Sequence, residues 1–336
     1  MSRPVSQSHA AWDPDTLPWM ANWHIPHFLR GLLPRLVIHS LREFKRIVFS
    51  SLRELKFTGR VLPPHFPRDK EFEQSPDDSQ ASACMSIVVP IHDAPTVTRR
   101  CLGSLEKYAP ESEIILVDDA SSLTETLEVI RHFSSQNKWK VVRHEKSLGH
   151  SEACREGANL ATRPYLCLLN SDTVVTPWCW RPVKEVFEHD QKTGVAGPST
   201  SESGNVQTLT LATVLSSSWN DNQICSFAKH LLTRCREPVV MDVAWVSGFA
   251  LFIRRSLWEQ VGGFDQNLPD YGNDMELRSR IAEKGYRMVW VRNSYIHHFG
   301  HQSYRDTVGN EGIQVLARAA IIYIRQKNHR RSHENV

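Results

Sequence analysis

Tyr165-Leu166-Cys167-Leu168-Leu169-Asn170-Ser171-Asp172-Thr173 is an apolar run that stops at a polar triplet, with Pro164 before it and Pro177 shortly after. A run of this length between such breaks reads as a buried parallel strand, not a helix. Open α/β sheets place their chemistry just beyond the carboxyl ends of such strands. Residues two apart at a strand end point to the same side. Asn170 and Asp172 can therefore aim at one hard cation, and oxygen donors suit Mg²⁺ or Mn²⁺. Asn-Ser-Asp is also ordinary turn chemistry, so the flanking stretches must decide between the two.

Upstream, Ser86-Ile87-Val88-Val89-Pro90 is a short β-branched strand ending at Pro90, and a helix follows from about Pro95 to Tyr108. Glu113 to Val117 is a second strand that runs into Asp118-Asp119-Ala120-Ser121-Ser122. Leu123 to Phe133 reads as helix, Trp139 to Val142 as a third strand and Gly149 to Leu160 as another helix. Strands alternating with helices at this spacing make βαβ units and predict an α/β fold with a mostly parallel sheet flanked by helices. Right-handed crossovers then bring Pro90, Asp118 and Asp172 to one edge. Downstream, residues 199–240 are polar and then mixed, which predicts loops and a helix on the far side of the site. Gly312 to Gln326 is a helix whose stripe of Val315, Leu316, Ala319, Ile322 and Tyr323 fits packing.

The first 83 residues differ. An irregular, tryptophan-rich start gives way over residues 27–57 to helical spacing of Phe28, Leu32, Leu36, Leu41, Phe44, Val48 and Leu52, with Arg30, Arg35, Arg42, Lys45, Arg46, Arg53 and Lys56 between them. Such a basic amphipathic pattern fits either peripheral contact with an anionic membrane or packing on a protein surface with a solvated basic face. Pro63-Pro64, Pro67, Pro76 and Asp77-Asp78-Ser79 make residues 59–83 read as a linker. The expected organisation is an extension over 1–83, one domain over 84–327 and a tail over 328–336. A chain of 336 residues with 40% apolar and 23% charged content builds a full core, and a net charge of +3 is too small to argue for nucleic acid. Seven cysteines without a CxxC pair read as reduced, mostly buried thiols. No apolar run reaches the roughly 18 residues of a membrane span. The expectation is a cytoplasmic protein, peripheral to a membrane if the basic helix binds one.

The strand ends resemble the nucleotide-sugar half of family 2 glycosyltransferases, which have the fold called GT-A. The carriers are Ser86-Ile-Val-Val-Pro-Ile-His-Asp93, Ile115-Leu-Val-Asp118-Asp119-Ala-Ser121 and Leu168-Leu-Asn170-Ser-Asp172. Later stretches are similar to the same family: Val246-Ser247-Gly248-Phe249-Ala250-Leu251, then Val261-Gly262-Gly263-Phe264-Asp265, then Tyr271-Gly272-Asn273-Asp274-Met275-Glu276-Leu277 with Arg280. Ile296-His297-His298-Phe299-Gly300-His301-Gln302-Ser303 resembles the His-x-Gly-x-x-Ser stretch of rhamnosyl- and other polysaccharide glycosyltransferases. Each motif is weak by itself; together, in order, over residues 85–327, they are specific.

The resemblance implies an inverting, metal-dependent, non-processive transfer of a sugar from a UDP, GDP or dTDP donor to a hydroxyl of a glycan or lipid-linked acceptor. Asp118 would read the nucleobase, with Asp119 beside it and Pro90 supplying backbone contacts. Asn170 stands where the family has an Asp, which leaves Asp172 as the direct Mn²⁺ or Mg²⁺ ligand and His298 as the second, although His297 and His301 are neighbours. Asp274 would be the base that deprotonates the acceptor, a role an Asp can fill when the proton leaves late. Asn273 replaces a common Glu. Gly248 and Trp245 belong to the acceptor side, and Glu276 pairs with Arg280 to order the helix. Gly149 opens a helix and can approach a phosphate, though Ser147 and Arg155 depart from the family pattern there. Two other readings were open. Paired carboxylates also serve glycoside hydrolysis, but a hydrolase needs neither the strand-end Asp118 nor the triplet. A non-catalytic nucleotide-sugar-binding scaffold is disfavoured because Asp172 and Asp274 are present. No GxGxxG follows the first strand, which disfavours a dehydrogenase.

Overall fold

Period-two alternation sorts the central strands onto two apolar layers. In β1 (Met85–Ile91), Ile87, Val89 and Ile91 join one core cluster and Val88 the other. In β2 (Glu113–Asp118), Ile114 and Leu116 go one way, Ile115 and Val117 the other. In β4 (Tyr165–Leu169), Cys167 and Leu169 oppose Leu166 and Leu168. Strands buried on both faces have no polar side, hence the unbroken apolar runs in the sequence. The computed structural model describes residues 76–209, 219–234, 238–300 and 309–334. The tryptophan-rich start and the basic pattern over 27–57 lie outside the described residues.

The elements follow in order. α1 (Pro76–Ser82) precedes β1, α2 (Pro95–Tyr108) joins β1 to β2, α3 (Thr124–Asn137) joins β2 to β3 (Lys140–Arg143), and α4 (His150–Asn159) joins β3 to β4. Then come β5 (Thr173–Val175), α5 (Trp180–His189), β6 (Thr193–Ser199), α6 (Asp221–Arg234), β7 (Val240–Asp242), β8 (Ala250–Arg254), α7 (Arg255–Val261), α8 (Asn273–Glu283), β9 (Arg287–His298) and α9 (Gly309–Glu334). The sheet runs β3-β2-β1-β4-β8-β6-β9-β5, with β7 against β9. From β3 to β4 every pairing is parallel. Beyond β4 the sheet is mixed, because β8 inserts antiparallel between β4 and β6. The parallel sheet read from the βαβ pattern is therefore its N-terminal half.

One layer holds α2, α3 and α5 through Leu102, Leu105, Phe133, Trp180 and Phe187. The other holds α4, α7 and α8 through Cys154, Leu257, Leu277 and Ile281. Gly157 lets α4 lie flush on β1, since a Cβ there would stand 2.3 Å from Val88 Cγ1. A third cluster joins α6 to β9 through Phe227, Leu231, Trp290 and Tyr295.

Three boundaries differ from expectation. Pro90 is inside β1, opposite Val117, at a point where the pairing with β4 has already stopped at Val88; a residue without an N–H is tolerated there. The supposed linker ends in α1, and the Asp78 carboxylate, fully buried, accepts the N–H groups of Trp178, Trp180 and Arg181 at 2.8, 3.2 and 2.9 Å. The supposed tail from 328 is the continuation of α9.

Candidate active site

Asn170 continues the alternation of Leu166 and Leu168, so it emerges on the side of α4 and α8. Its N–H donates to the Phe249 carbonyl at 2.8 Å, which ties the end of β4 to the turn before β8. Its Oδ1 lies 3.1 Å from His150 Nε2, at the first residue of α4. An amide oxygen only accepts, so Nε2 carries the proton and Nδ1 accepts from Asn273 Nδ2 at 3.3 Å. Asn273 also donates to Ser151 Oγ at 2.9 Å. Burial disfavours charge on His150 and lowers its pKa, despite the hydrogen bond to Asn170 and the acids around it. His150 thus links the triplet to the start of α8. Sequence reasoning missed it; the signal was a ring nitrogen pair directly after the helix-opening Gly149.

Asp172 sits where β5 and β9 begin to pair, with Thr173 opposite His298. Its carbonyl accepts Phe299 N–H at 2.9 Å, and its Oδ1 lies 3.1 Å from His298 Nε2. Both side chains are buried. His298 Nδ1 lies 2.6 Å from the Glu202 carbonyl, which can only accept, so Nδ1 carries a proton and Nε2 is turned to the carboxylate. Burial opposes charge on His298, but Asp172 and the Glu202 carbonyl outweigh it and raise the pKa. This pair fits a divalent cation. Two ligands at right angles, each about 2.1–2.2 Å from a metal, stand roughly 3 Å apart. The bond from Nδ1 to a carbonyl is the support that metal-binding imidazoles use. Among the described residues no group of three or more His, Cys, Asp or Glu forms a cage. Two side chains suit a cation of the Mg²⁺ or Mn²⁺ type that takes its other ligands from phosphate and water.

Asp274 lies in the first turn of α8, behind Gly272, whose φ of 78° makes the left-handed entry to the helix. The Asp274 carboxylate accepts Gly248 N–H at 3.0 Å and Met275 N–H at 2.7 Å. Burial nonetheless raises its pKa, against the lowering effect of those N–H groups. Asn170, Gly248, Asn273, Asp274 and His298 line one cleft, together with His150, Ser203, Ser247, Phe249, Asp270, Tyr271 and Gly272.

Other expected site residues are turned inward. Asp118 accepts Ser121 N–H at 2.9 Å and pairs with Arg143. Asp119 accepts Ser147 Oγ at 2.7 Å and the N–H groups of Leu148 and Gly149 at 2.7 and 3.0 Å, with His144 Nδ1 at 2.6 Å. The turn into α4 therefore already holds anions of its own chain: Asp119 on the two N–H groups before the helix and Asp270 on that of His150, at 3.2 Å. Gly149 is glycine because its φ is 89° and a Cβ would stand 2.9 Å from that of Pro269. Asp118, Asp119 and Gly149 fasten the wall of the site and do not line the cleft. Trp245 is half-buried beside the α4–α8 layer. Arg280 Nε lies 2.9 and 3.1 Å from Glu276, and its Nη1 donates to the carbonyls of Val261 and Gly263 at 2.6 Å. That pair orders α8 from behind. His297 is buried against Tyr295 Oη at 3.0 Å, and burial pushes its pKa down to about 3; His301 lies outside the described residues.

Residues 86–259 match glycosyl transferase family 2. The chain belongs to this family. A segment of 71 residues is 39% identical to the N-acetylglucosaminyl-diphospho-decaprenol L-rhamnosyltransferase of Mycobacterium tuberculosis, covering 21% of this chain and 23% of that protein. The O-antigen biosynthesis protein RfbC of Myxococcus xanthus is 24% identical over 251 residues, 70% of this chain and 19% of that one. The alignments thus span less than a quarter of either relative. Among solved glycosyltransferases, GalNAc-T7 with UDP, GalNAc and Mn²⁺ aligns with a TM-score of 0.49 at 20% identity, over 64% of this chain and 43% of that one. The mannosyltransferase PcManGT of Pyrobaculum calidifontis, with GDP-Man and Mn²⁺, aligns at 0.47 and 16%, over 80% and 70%. Likeness at that level adds nothing to the family match.

Proposed function

We propose that this family 2 glycosyltransferase moves a sugar from a nucleoside-diphosphate donor to a hydroxyl of a glycan or lipid-linked acceptor, with inversion and with Mn²⁺ or Mg²⁺ bound. The observation that carries this reading is that one cleft is lined by Asp274 and by His298, whose Nε2 lies 3.1 Å from the buried Asp172 carboxylate behind it. Asp172 Oδ1 and His298 Nε2 would hold the cation, which when bound neutralises the charge that builds on the departing diphosphate. Asp274 takes the acceptor proton as the new bond forms; its affinity for that proton is raised by burial. The Gly248 and Met275 N–H groups fix the direction of its carboxylate. Asn170 and Asn273, joined through His150, hold the donor end and the base end in register. With Asp274 as base and the diphosphate as leaving group, the acceptor oxygen displaces it in one step, and a single displacement inverts. No helix of the described residues is long and apolar enough to cross a membrane. The relatives named for decaprenol-linked rhamnosyl transfer and O-antigen assembly support a polysaccharide-building setting.

The test is thermal unfolding with UDP-, GDP- and dTDP-sugars, each with Mn²⁺ and with chelator. Ligand at about 100 times its Kd adds roughly 2.7 kcal/mol of stability. The expected result is a rise with one nucleotide family that chelator abolishes. A rise indifferent to chelator would remove the metal from the reading, and no rise with any donor would leave the chain as a non-catalytic member.

A further inference from the structure

α9 has two faces of opposite character. The inner face is fixed to the domain: Tyr323 Oη donates to Asp265 at 2.9 Å, and Lys327 Nζ bridges Asp265 and Glu276 at 2.5 and 2.7 Å. Ala320 is buried, and a Cβ on Gly272 would stand 2.8 Å from its own. Helical spacing puts Val315, Arg318, Ile322, Arg325 and His329 on the opposite side. Val315 is 64% exposed, Ile322 56% and the neighbouring Ile321 39%. Arg318, Arg325 and Arg330 are exposed beside them, and Glu311, a turn before Val315, is the one acidic side chain described on α9.

We propose that this outer face of α9 binds an anionic lipid surface. Val315 and Ile322 enter the headgroup boundary, while Arg318 and Arg325 keep their aliphatic stems on the apolar strip and their guanidiniums on lipid phosphates. Charge complementarity selects this occupant: the exposed aliphatics are interleaved with cations and almost no anions. The placement also makes sense of the cleft. α9 packs on Gly272, which lines the cleft two residues before Asp274, so a surface against α9 lies one layer from the acceptor side. That last point rests on the proposed lipid-linked acceptor; the surface itself rests on the exposed side chains.

The experiment is sedimentation of the full chain with vesicles of phosphatidylcholine, pure or with roughly one-third phosphatidylglycerol. The wild-type chain should bind the anionic vesicles and leave the neutral ones. Each basic residue near an anionic surface strengthens binding about fivefold, so R318Q/R325Q should weaken it about 25-fold. V315S/I322S should also weaken it, and R131Q/K192Q, with the same change of charge elsewhere, should not. All these side chains are exposed, so unchanged melting temperatures will show that the variants fold. The proposal falls if the wild type ignores anionic vesicles, if R318Q/R325Q binds as well as wild type, or if R131Q/K192Q weakens binding equally. Donor-dependent thermal shifts, measured without vesicles, report on the glycosyl-transfer reading separately.

Discussion

Asp274 is stabilised as an anion by two backbone N–H groups, and burial still raises its pKa above the usual carboxylate range. The base must be ionised to accept a proton. A raised pKa keeps the protonated, inactive form present to higher pH, so kcat/KM should fall with decreasing pH at a value above the ordinary Asp pKa of about 3.9. An acid limb at or below that value would show that Asp274 is not the titrating base. Asp274→Asn should keep the donor-dependent thermal shift and lose transfer by about 10²-fold or more; transfer at the wild-type rate would exclude the assignment. Asp172→Ala should abolish the Mn²⁺-dependent part of donor binding, read by titrating Mn²⁺ at fixed donor. In the sequence, Asp172, His298 and Asp274 are singled out by the family resemblance and not by any local rule: a strand-end Asp and a first-turn Asp are also ordinary turn and cap chemistry, and His297 and His301 stand beside His298. His150 is not singled out. Its role depends on Asn170 and Asn273 meeting its two ring nitrogens from positions 20 and 123 residues away.

Elements carry the site by what holds them behind it. α8 presents Asp274 and is anchored by Arg280, which reaches Glu276 and the carbonyls closing α7. Glu276 is 2% exposed. Removing one partner of a buried pair leaves the other desolvated, at a cost of about 3–5 kcal/mol; Lys327 remains near Glu276, so the lower figure applies. Arg280→Ala should lower the urea midpoint by an amount equal to about 3 kcal/mol at unchanged m-value. A cost below roughly 1 kcal/mol would mean that α8 is positioned by its apolar face alone. The pairing of Glu276 with Arg280 follows from helical spacing, but the attachment of Arg280 to the turn after α7 does not. The same contrast holds in the sheet. Period and punctuation reveal β1, β2 and β4, but not that β8 would enter antiparallel beside β4, since register between segments some 80 residues apart leaves no local mark.

At the scale of the whole molecule, the N-terminal boundary of the domain is where composition and structure read differently. Asp77-Asp78-Ser79 beside Pro76 is polar enough to read as linker, yet Asp78 is fully buried. Its partners explain both facts. Trp180 and Arg181 open α5, where the first N–H groups have no partner within their own helix, and Asp78 supplies the acceptor from α1. It also accepts the N–H of Trp178, which holds a φ of 74° that a non-glycine residue adopts only at a cost of about 1–2 kcal/mol. A cap delivered from a hundred residues away cannot be told from a turn by reading the sequence. A chain beginning at residue 84 should therefore fold less stably than one beginning at residue 76. Losing the carboxylate strands three N–H groups, which sums to at least about 3 kcal/mol. In a domain of this size that is roughly 6–12 °C in Tm. If the two truncated chains melt together, α1 is an appendage and the boundary at residue 83 is the true one. If the longer chain melts higher and Asp78→Ala in that chain reproduces the difference, α1 is a structural part of the glycosyltransferase domain.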